Sequence, residues 1–184
     1  MLFTGNGTTA AISKLVTSLG LHLPLPESFK DDENIRPVVF TSSYEHHSNL
    51  LPWRESVADV YTVKYSPKTG VDLEHLQQLL DRFKFRRLKI GSFSAASNVT
   101  GILTAVDEVS LVCHQAGALV FFDYATAAPY VKIDVNPVST RPGGELMYKD
   151  AIFFSGKYHA QSVTFLYALI SLVYETKTFS FPVL

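Results

Sequence analysis

The chain of 184 residues contains a single cysteine, Cys113. A disulfide within the chain is therefore excluded, and this predicts a reducing compartment, the cytoplasm. Neither sign of charge dominates, because 16 lysines and arginines stand against 17 acidic residues, for a formal net charge of -1. Without a basic surplus, nucleic acid is not an expected partner.

Long apolar runs are also scarce. Residues 1–5 lack the basic region and the apolar core of a signal peptide. The longest largely apolar run, residues 163–174, is shorter than the roughly 20 residues that a membrane-spanning helix needs. We therefore predict a buried strand or helix there and no membrane partner. A hydrophobic share of 47% and a charged share of 18% are typical of a globular protein.

Helix-like and strand-like segments alternate along the chain, which favours an α/β domain with a mostly parallel sheet and flanking helices. Ligands of such sheets bind beyond the carboxyl ends of the strands, so the polar residues at those ends are the candidates for function. Apolar periodicity predicts helices over residues 8–19, 72–83 and 104–115. Runs of β-branched and aromatic residues predict strands over 37–40, 58–65, 88–93, 118–122 and 151–154.

A glycine-rich turn joins the start of the chain to its first predicted helix. Gly5 and Gly7 let the backbone approach an anion closely, and the helix N-terminus offers unpaired N–H groups. The hydroxyls of Thr8 and Thr9 add two donors. This pattern predicts a phosphate site, but an ordinary helix N-cap explains it equally well.

A carboxylate, Asp123, follows the apolar strand over residues 118–122. Burial of a carboxylate is costly unless the group meets a cation or hydrogen-bond donors. A protonated ring nitrogen of a bound ligand is one such partner. The structural alternative is that Asp123 caps a nearby helix.

Three further polar groups lie at predicted strand ends or loops. His46 and His47 lack the local cysteine or acidic cluster of a zinc site, so we predict no metal. The pair is either polar surface or places one ring on a flat aromatic ligand. Asn98 follows small residues that leave room for a ligand, although a local turn bond uses asparagine equally often. Ser155, at the end of the last predicted strand, offers a further donor to a phosphate.

Taken together, these segments resemble the class V aminotransferase family, which includes the cysteine desulfurases. They occur in the order of the family between about Leu2 and Gly156. The five matching segments are residues 3–10, 45–49 with Pro52-Trp53, 97–101, 122–125 and 150–156.

The resemblance implies part of the large domain of a fold-type I enzyme that uses pyridoxal 5'-phosphate and acts on a small amino-acid substrate. Family members are homodimers. The implied cofactor contacts are phosphate binding by Thr8, Thr9 and Ser155, ring stacking by His46, a bond from Asn98 to the phenolic oxygen, and pairing of Asp123 with the ring nitrogen. At Thr126, relatives often have glutamine; its hydroxyl still offers a bond to the phenolic oxygen, but the substrate class stays open.

The resemblance ends at Gly156. The family continues from its serine into a histidine and the Schiff-base lysine, whereas Lys157 stands one position early with no histidine before it. A one-residue shift at a strand end turns a side chain away from its target. We therefore expect an inactive or impaired fragment, truncated at both ends, with His46 and a misplaced Lys157 as its catalytic candidates.

Two units are predicted: a partial cofactor-binding large domain over residues 1–156 and a divergent tail over 157–184. Our hypothesis for the tail is that translation has run into an intron, which makes the tail non-native. The alternatives are a non-catalytic α/β fragment that binds the cofactor weakly or not at all, and an interaction domain without a cofactor. Cys113, on the helix over 104–115, is predicted to be a buried, inert thiol.

Overall fold

A computed structural model of the chain describes residues 5, 7–27 and 34–133, together with the backbone of short strands at 139–140, 146–147 and 151–153. Ser155, Lys157, the run over 163–174 and the tail lie outside the described residues. The helices are α1 (Gly7–Ser18), α2 (Leu51–Arg54), α3 (Leu73–Arg82) and α4 (Val106–Gln115). The strands are β1 (Val38–Thr41), β2 (Asp59–Thr62), β3 (Tyr65–Ser66), β4 (Gly70–Val71), β5 (Lys89–Ser94), β6 (Leu119–Asp123), β7 (Ser139–Thr140), β8 (Leu146–Met147) and β9 (Ala151–Phe153).

Five parallel strands form the central sheet, in the order β2-β1-β5-β6-β9. Their carboxyl ends therefore lie at one edge, where Thr41 of β1 pairs with Ser92 of β5 and Ser94 of β5 pairs with Asp123 of β6. The predicted α/β fold with a mostly parallel sheet is confirmed. The sheet register brings polar residues from well-separated parts of the sequence to the same edge.

Alternation along the strands divides the core into two clusters, one on each face of the sheet. On one face, side chains from α3 and α4 pack on strand residues that include Phe40, Phe93 and Phe122. On the other face, α1 and Trp53 pack on Val39, Ile90 and Phe121. The strands are apolar in both registers because both faces are covered. Cys113 is buried in the first cluster, as predicted.

The three predicted helices agree with α1, α3 and α4 to within two residues at each end. Local capping explains two of the ends. The side chain of Asp72 accepts a hydrogen bond from the N–H of His75 at the start of α3. Gly117, with a φ of 68°, follows the end of α4 in the left-handed conformation that glycine tolerates best.

The strand predicted over residues 58–65 exists but is shorter than predicted. β2 ends at Thr62, the last residue with a partner in β1, and Tyr65 instead pairs with Val71 in a separate antiparallel ribbon. The alternating pattern continued from β2 into β3 because β-branched or aromatic residues occur in both strands. Among the described residues, no helix is long and apolar enough to cross a membrane.

Candidate functional site

The carboxylate of Asp123 lies at the carboxyl end of β6, where only 5% of the residue is exposed. Its Oδ1 accepts hydrogen bonds from the backbone N–H of Ala125 at 2.8 Å and from Oγ1 of Thr8 at 3.2 Å. Thr8 belongs to the first turn of α1. The start of this helix and the end of the strand therefore meet at one buried carboxylate, although they are 115 positions apart.

Burial raises the pKa of Asp123 from 3.8 to about 6. The hydrogen bonds from Ala125 and Thr8 oppose this shift, whereas the nearby negative charge of Glu45 adds to it. At neutral pH the group is thus mainly an anion. Across residues 7–27 and 34–133, no cationic side chain forms an ion pair with Asp123, whereas Arg36 and Arg86 pair with Asp59. A buried anion that lacks a cation within this part of the chain fits a ligand that carries a positive charge.

The raised pKa predicts that the ligand-free chain loses stability as the pH rises through about 6. A proton binds Asp123 more tightly in the folded state than in the unfolded state, so the contribution is complete below about pH 3.8 and lost above the folded-state pKa. At about 1.36 kcal/mol per pKa unit, the loss between about pH 4 and pH 7 is about 2 kcal/mol. Urea unfolding at a series of pH values measures it.

Asp123→Asn is the control for this pH dependence, because the amide does not titrate. The free energy of unfolding of the variant minus that of the unchanged chain should rise by about 2 kcal/mol between about pH 4 and pH 7. Titrating groups that do not interact with Asp123 cancel in that difference. A difference that stays flat over this range would show that Asp123 titrates normally.

The ring of His46 lies in an exposed loop that contacts the first turn of α1. Its Nδ1 accepts from the N–H of Ser48 at 3.1 Å and lies 3.0 Å from Oγ of Ser48. The same Oγ is 2.7 Å from Oγ1 of Thr9. Because Nδ1 accepts from a backbone N–H, the neutral ring carries its proton on Nε2. These contacts place His46 and Thr9 at the same edge as Thr8 and Asp123.

Asn98 and Thr126 are not brought into this set of contacts. Asn98 is exposed in the turn after β5, and in that turn it is Oγ of Ser97 that accepts from the N–H groups of Val99 and Thr100. Thr126 is half-buried in the turn that follows Asp123. Neither side chain makes a hydrogen bond to another described residue. The predicted roles of Ser155 and Lys157 fall outside the described residues.

Sequence reasoning missed one residue of the site, Glu45. Its carboxylate accepts five hydrogen bonds: from the N–H and hydroxyl of Ser42, from Nδ2 of Asn49, and from the N–H and hydroxyl of Ser94. Burial raises the pKa of Glu45, and these hydrogen bonds oppose that shift. The only signal in the sequence was its position directly before His46 in one of the five family-like segments.

The site thus combines a helix N-terminus with hydroxyl donors, an exposed histidine ring and a buried carboxylate, at the carboxyl edge of a parallel sheet. The sequence model of the family Aminotransferase class-V matches residues 1–140. The chain belongs to the class V aminotransferase family. This confirms the resemblance on which the predicted site residues rest.

Curated relatives of this family member include cysteine desulfurases. A probable cysteine desulfurase of Halalkalibacterium halodurans is 34% identical over 140 residues, which are 74% of this chain and 31% of the relative. The cysteine desulfurase of Synechococcus elongatus is 31% identical over 134 residues, which are 71% of this chain and 19% of the relative. The chain spans less than a third of the length of these two relatives.

Solved structures show the same fold. The Escherichia coli cysteine desulfurase CsdA aligns with a TM-score of 0.66 at 24% identity, over 91% of this chain and 38% of the enzyme. A serine palmitoyltransferase from S. paucimobilis, solved with PLP bound, aligns with a TM-score of 0.54 at 15% identity, over 84% of this chain and 34% of that protein. The predicted partial large domain of fold type I is confirmed.

Proposed function

We propose that this class V family member is the cofactor-binding part of a cysteine desulfurase-like enzyme that uses pyridoxal 5'-phosphate. The observation that carries the proposal is the buried carboxylate of Asp123, which meets two donors but no cation among the described residues. Its place at a strand end beside a helix N-terminus suits a ligand with a protonated ring nitrogen at one end and a phosphate at the other.

Asp123 would pair with the ring nitrogen and so favour its protonated form. When bound, the cofactor would supply an electron sink for a carbanion of the substrate. The hydroxyl of Thr8 is already used by Asp123, so Thr8 would support the carboxylate as well as the phosphate. Thr9 and the first N–H groups of α1 would then bind most of the phosphate. His46 would lay its ring on the cofactor.

The remaining site residues stay predictions. Asn98 and Thr126 are expected near the phenolic oxygen, Ser155 at the phosphate, and Lys157 as a misplaced substitute for the Schiff-base lysine. We propose a small amino acid as substrate, following the desulfurases among the relatives, and an inactive or impaired fragment, since Lys157 is out of register. The division of the chain at residue 156, a cytoplasmic location and dimerisation also remain predictions.

A direct test of the proposed function is binding of the cofactor by the full 184-residue chain. We expect the chain to bind pyridoxal 5'-phosphate and its non-aldehyde analogue pyridoxine 5'-phosphate with similar affinity, because Lys157 is expected not to react. Absorbance titration measures both. A visible Schiff-base band that disappears in Lys157→Ala would show instead that Lys157 substitutes for the family's lysine. Failure to bind either compound would contradict the proposal and favour an interaction domain.

The phosphate role of Thr9 is tested by Thr9→Val, which keeps the shape of the side chain and removes its hydroxyl. A hydrogen bond to a charged group is worth about 1.5–3 kcal/mol, so binding of pyridoxine 5'-phosphate should weaken at least about tenfold. Pyridoxine without the phosphate should bind equally to both proteins. Thr17→Val, on the exposed side of the same helix, is the matched control. Equal losses for the two ligands would rule out a phosphate contact.

A further inference from the structure

Glu45 is a half-buried residue that accepts five hydrogen bonds, and the proposed chemistry assigns it no role. Its Oε1 accepts from the N–H and Oγ of Ser42 and, at 2.8 Å, from the N–H of Ser94. Its Oε2 accepts from Nδ2 of Asn49 and from Oγ of Ser94, each at 2.7 Å. Three of these donors, two backbone N–H groups and the NH2 group of an amide, cannot accept a hydrogen bond from a protonated carboxyl group. The surroundings therefore suit an ionised carboxylate.

The donors belong to three separate segments that meet at the proposed site. Ser42 follows β1, Ser94 ends β5, and Asn49 ends the short 3-10 helix His47–Asn49. Oδ1 of Asn49 in turn accepts from Oγ of Ser92 at 2.6 Å. Glu45 thus joins the loop that carries His46 to the end of β5.

The same strand end lies beside Asp123. Ser94 pairs with Asp123 in the sheet, and the N–H of Ala95 donates to the backbone carbonyl of Asp123 at 2.9 Å. A carboxylate that binds Ser94 through both its N–H and its hydroxyl therefore acts next to the proposed partner of the ring nitrogen.

We propose that Glu45 is a positioning residue of the cofactor site, which holds the His46 loop against the end of β5 and places a second negative charge beside Asp123. The inference rests on the proposed function. It assigns two separable effects to one side chain: a geometric effect on His46 and an electrostatic effect on a ring nitrogen bound at Asp123.

The electrostatic effect has a defined direction. The charge of Glu45 raises the pKa of Asp123, so the two carboxylates act on each other. Tyr44 and His46 stand on either side of Glu45 in the chain, and Tyr65 packs on Tyr44. The charge of Glu45 also raises the pKa of Tyr44, after the larger effect of burial. A protonated ring nitrogen should feel both carboxylates, so neutralising Glu45 should let that nitrogen lose its proton at a lower pH.

The test measures binding of pyridoxine 5'-phosphate to the full chain and to three variants of it. The variants are Glu45→Gln, Glu45→Asp and, as matched control, Glu74→Gln on the surface of α3. Two quantities are measured: the dissociation constant at neutral pH, and the pH midpoint at which the ultraviolet spectrum of the bound probe shows loss of the ring proton. In Glu45→Gln we expect about tenfold weaker binding, since one charge-assisted bond is worth about 1.5 kcal/mol or more, and a lower midpoint. Glu45→Asp should restore the midpoint but not the affinity.

Each outcome decides a different point. Weaker binding in Glu45→Gln with an unchanged midpoint would overturn the electrostatic effect and leave a structural role only. Unchanged affinity in both variants would overturn the positioning role. If circular dichroism shows that Glu45→Gln does not fold, Glu45→Asp decides, because wild-type affinity there would contradict a fixed geometry. If the unchanged chain does not bind the probe, the proposed function itself fails, and the role of Glu45 fails with it.

Discussion

Replacing Asp123 with asparagine is expected to weaken the binding of pyridoxine 5'-phosphate about a hundredfold or more at neutral pH. Removing one partner of a buried charge pair costs about 3–5 kcal/mol, and each 1.4 kcal/mol is a factor of ten in affinity. The neutral amide keeps the size of the carboxylate and its bond from Ala125, so the loss reports the charge. Absorbance or calorimetric titration of the full chain measures it.

The same substitution is expected to stabilise the ligand-free protein at neutral pH, which separates lost binding from lost folding. At neutral pH the buried carboxylate of Asp123 is mainly ionised, although its surroundings favour the neutral form and raise its pKa to about 6. An asparagine avoids this cost of burying a charge. The affinity for pyridoxine 5'-phosphate should therefore fall while the free energy of unfolding rises, as expected at a binding site whose charged residue destabilises the ligand-free protein. Asp81→Asn, an exposed exchange on α3, is the control for both measurements. Binding by Asp123→Asn within twofold of the unchanged chain would remove the central support for the proposed function.

Asp123 could be predicted because its signal is local. An apolar run that ends on a carboxylate already indicates a buried charge in need of a partner. The contact with Thr8, in contrast, joins residues 115 positions apart. The sequence predicted only that Thr8 and Asp123 lie at the same edge of the sheet, because ligands bind beyond the carboxyl ends of parallel strands. It did not predict a hydrogen bond between them. The hydroxyl of Thr8 was predicted to bind phosphate, a role that stays a prediction, and the structure shows in addition that this hydroxyl donates to the carboxylate of Asp123.

Glu45 could not be predicted from its own neighbourhood. Two of its five hydrogen bonds come from Ser94, 49 residues away, and serines at strand ends are too common to indicate a partner. The outcome for Asn98 has a related cause. The small residues around it were compatible with a turn and with room for a ligand, and the pattern carries no information on which way an exposed amide points. Apolar periodicity located the helices, whereas polar contacts depend on register across the sheet.

Trp53, the sole tryptophan of the chain, is expected to be the most costly of these residues to truncate. Its side chain is fully buried in the cluster beneath α1, and large-to-small changes of this kind cost about 3–5 kcal/mol. A domain of ordinary stability has about 5–15 kcal/mol in total, so Trp53→Ala should leave the chain marginally folded at best. Urea unfolding followed by circular dichroism measures the change without relying on tryptophan fluorescence.

Trp53→Phe removes only part of the contribution of the indole. It keeps one buried six-membered ring and loses the rest of the indole together with the Nε1 donor, which lies 3.5 Å from Oδ1 of Asn49, a long contact for a hydrogen bond. We expect this variant to lose about 1 kcal/mol. Asn49 also donates to Glu45, so any displacement of Asn49 should reach the His46 loop and weaken binding of pyridoxine 5'-phosphate. A loss below about 1 kcal/mol in Trp53→Ala would mean that the cavity collapses without strain and that Trp53 does not support the site.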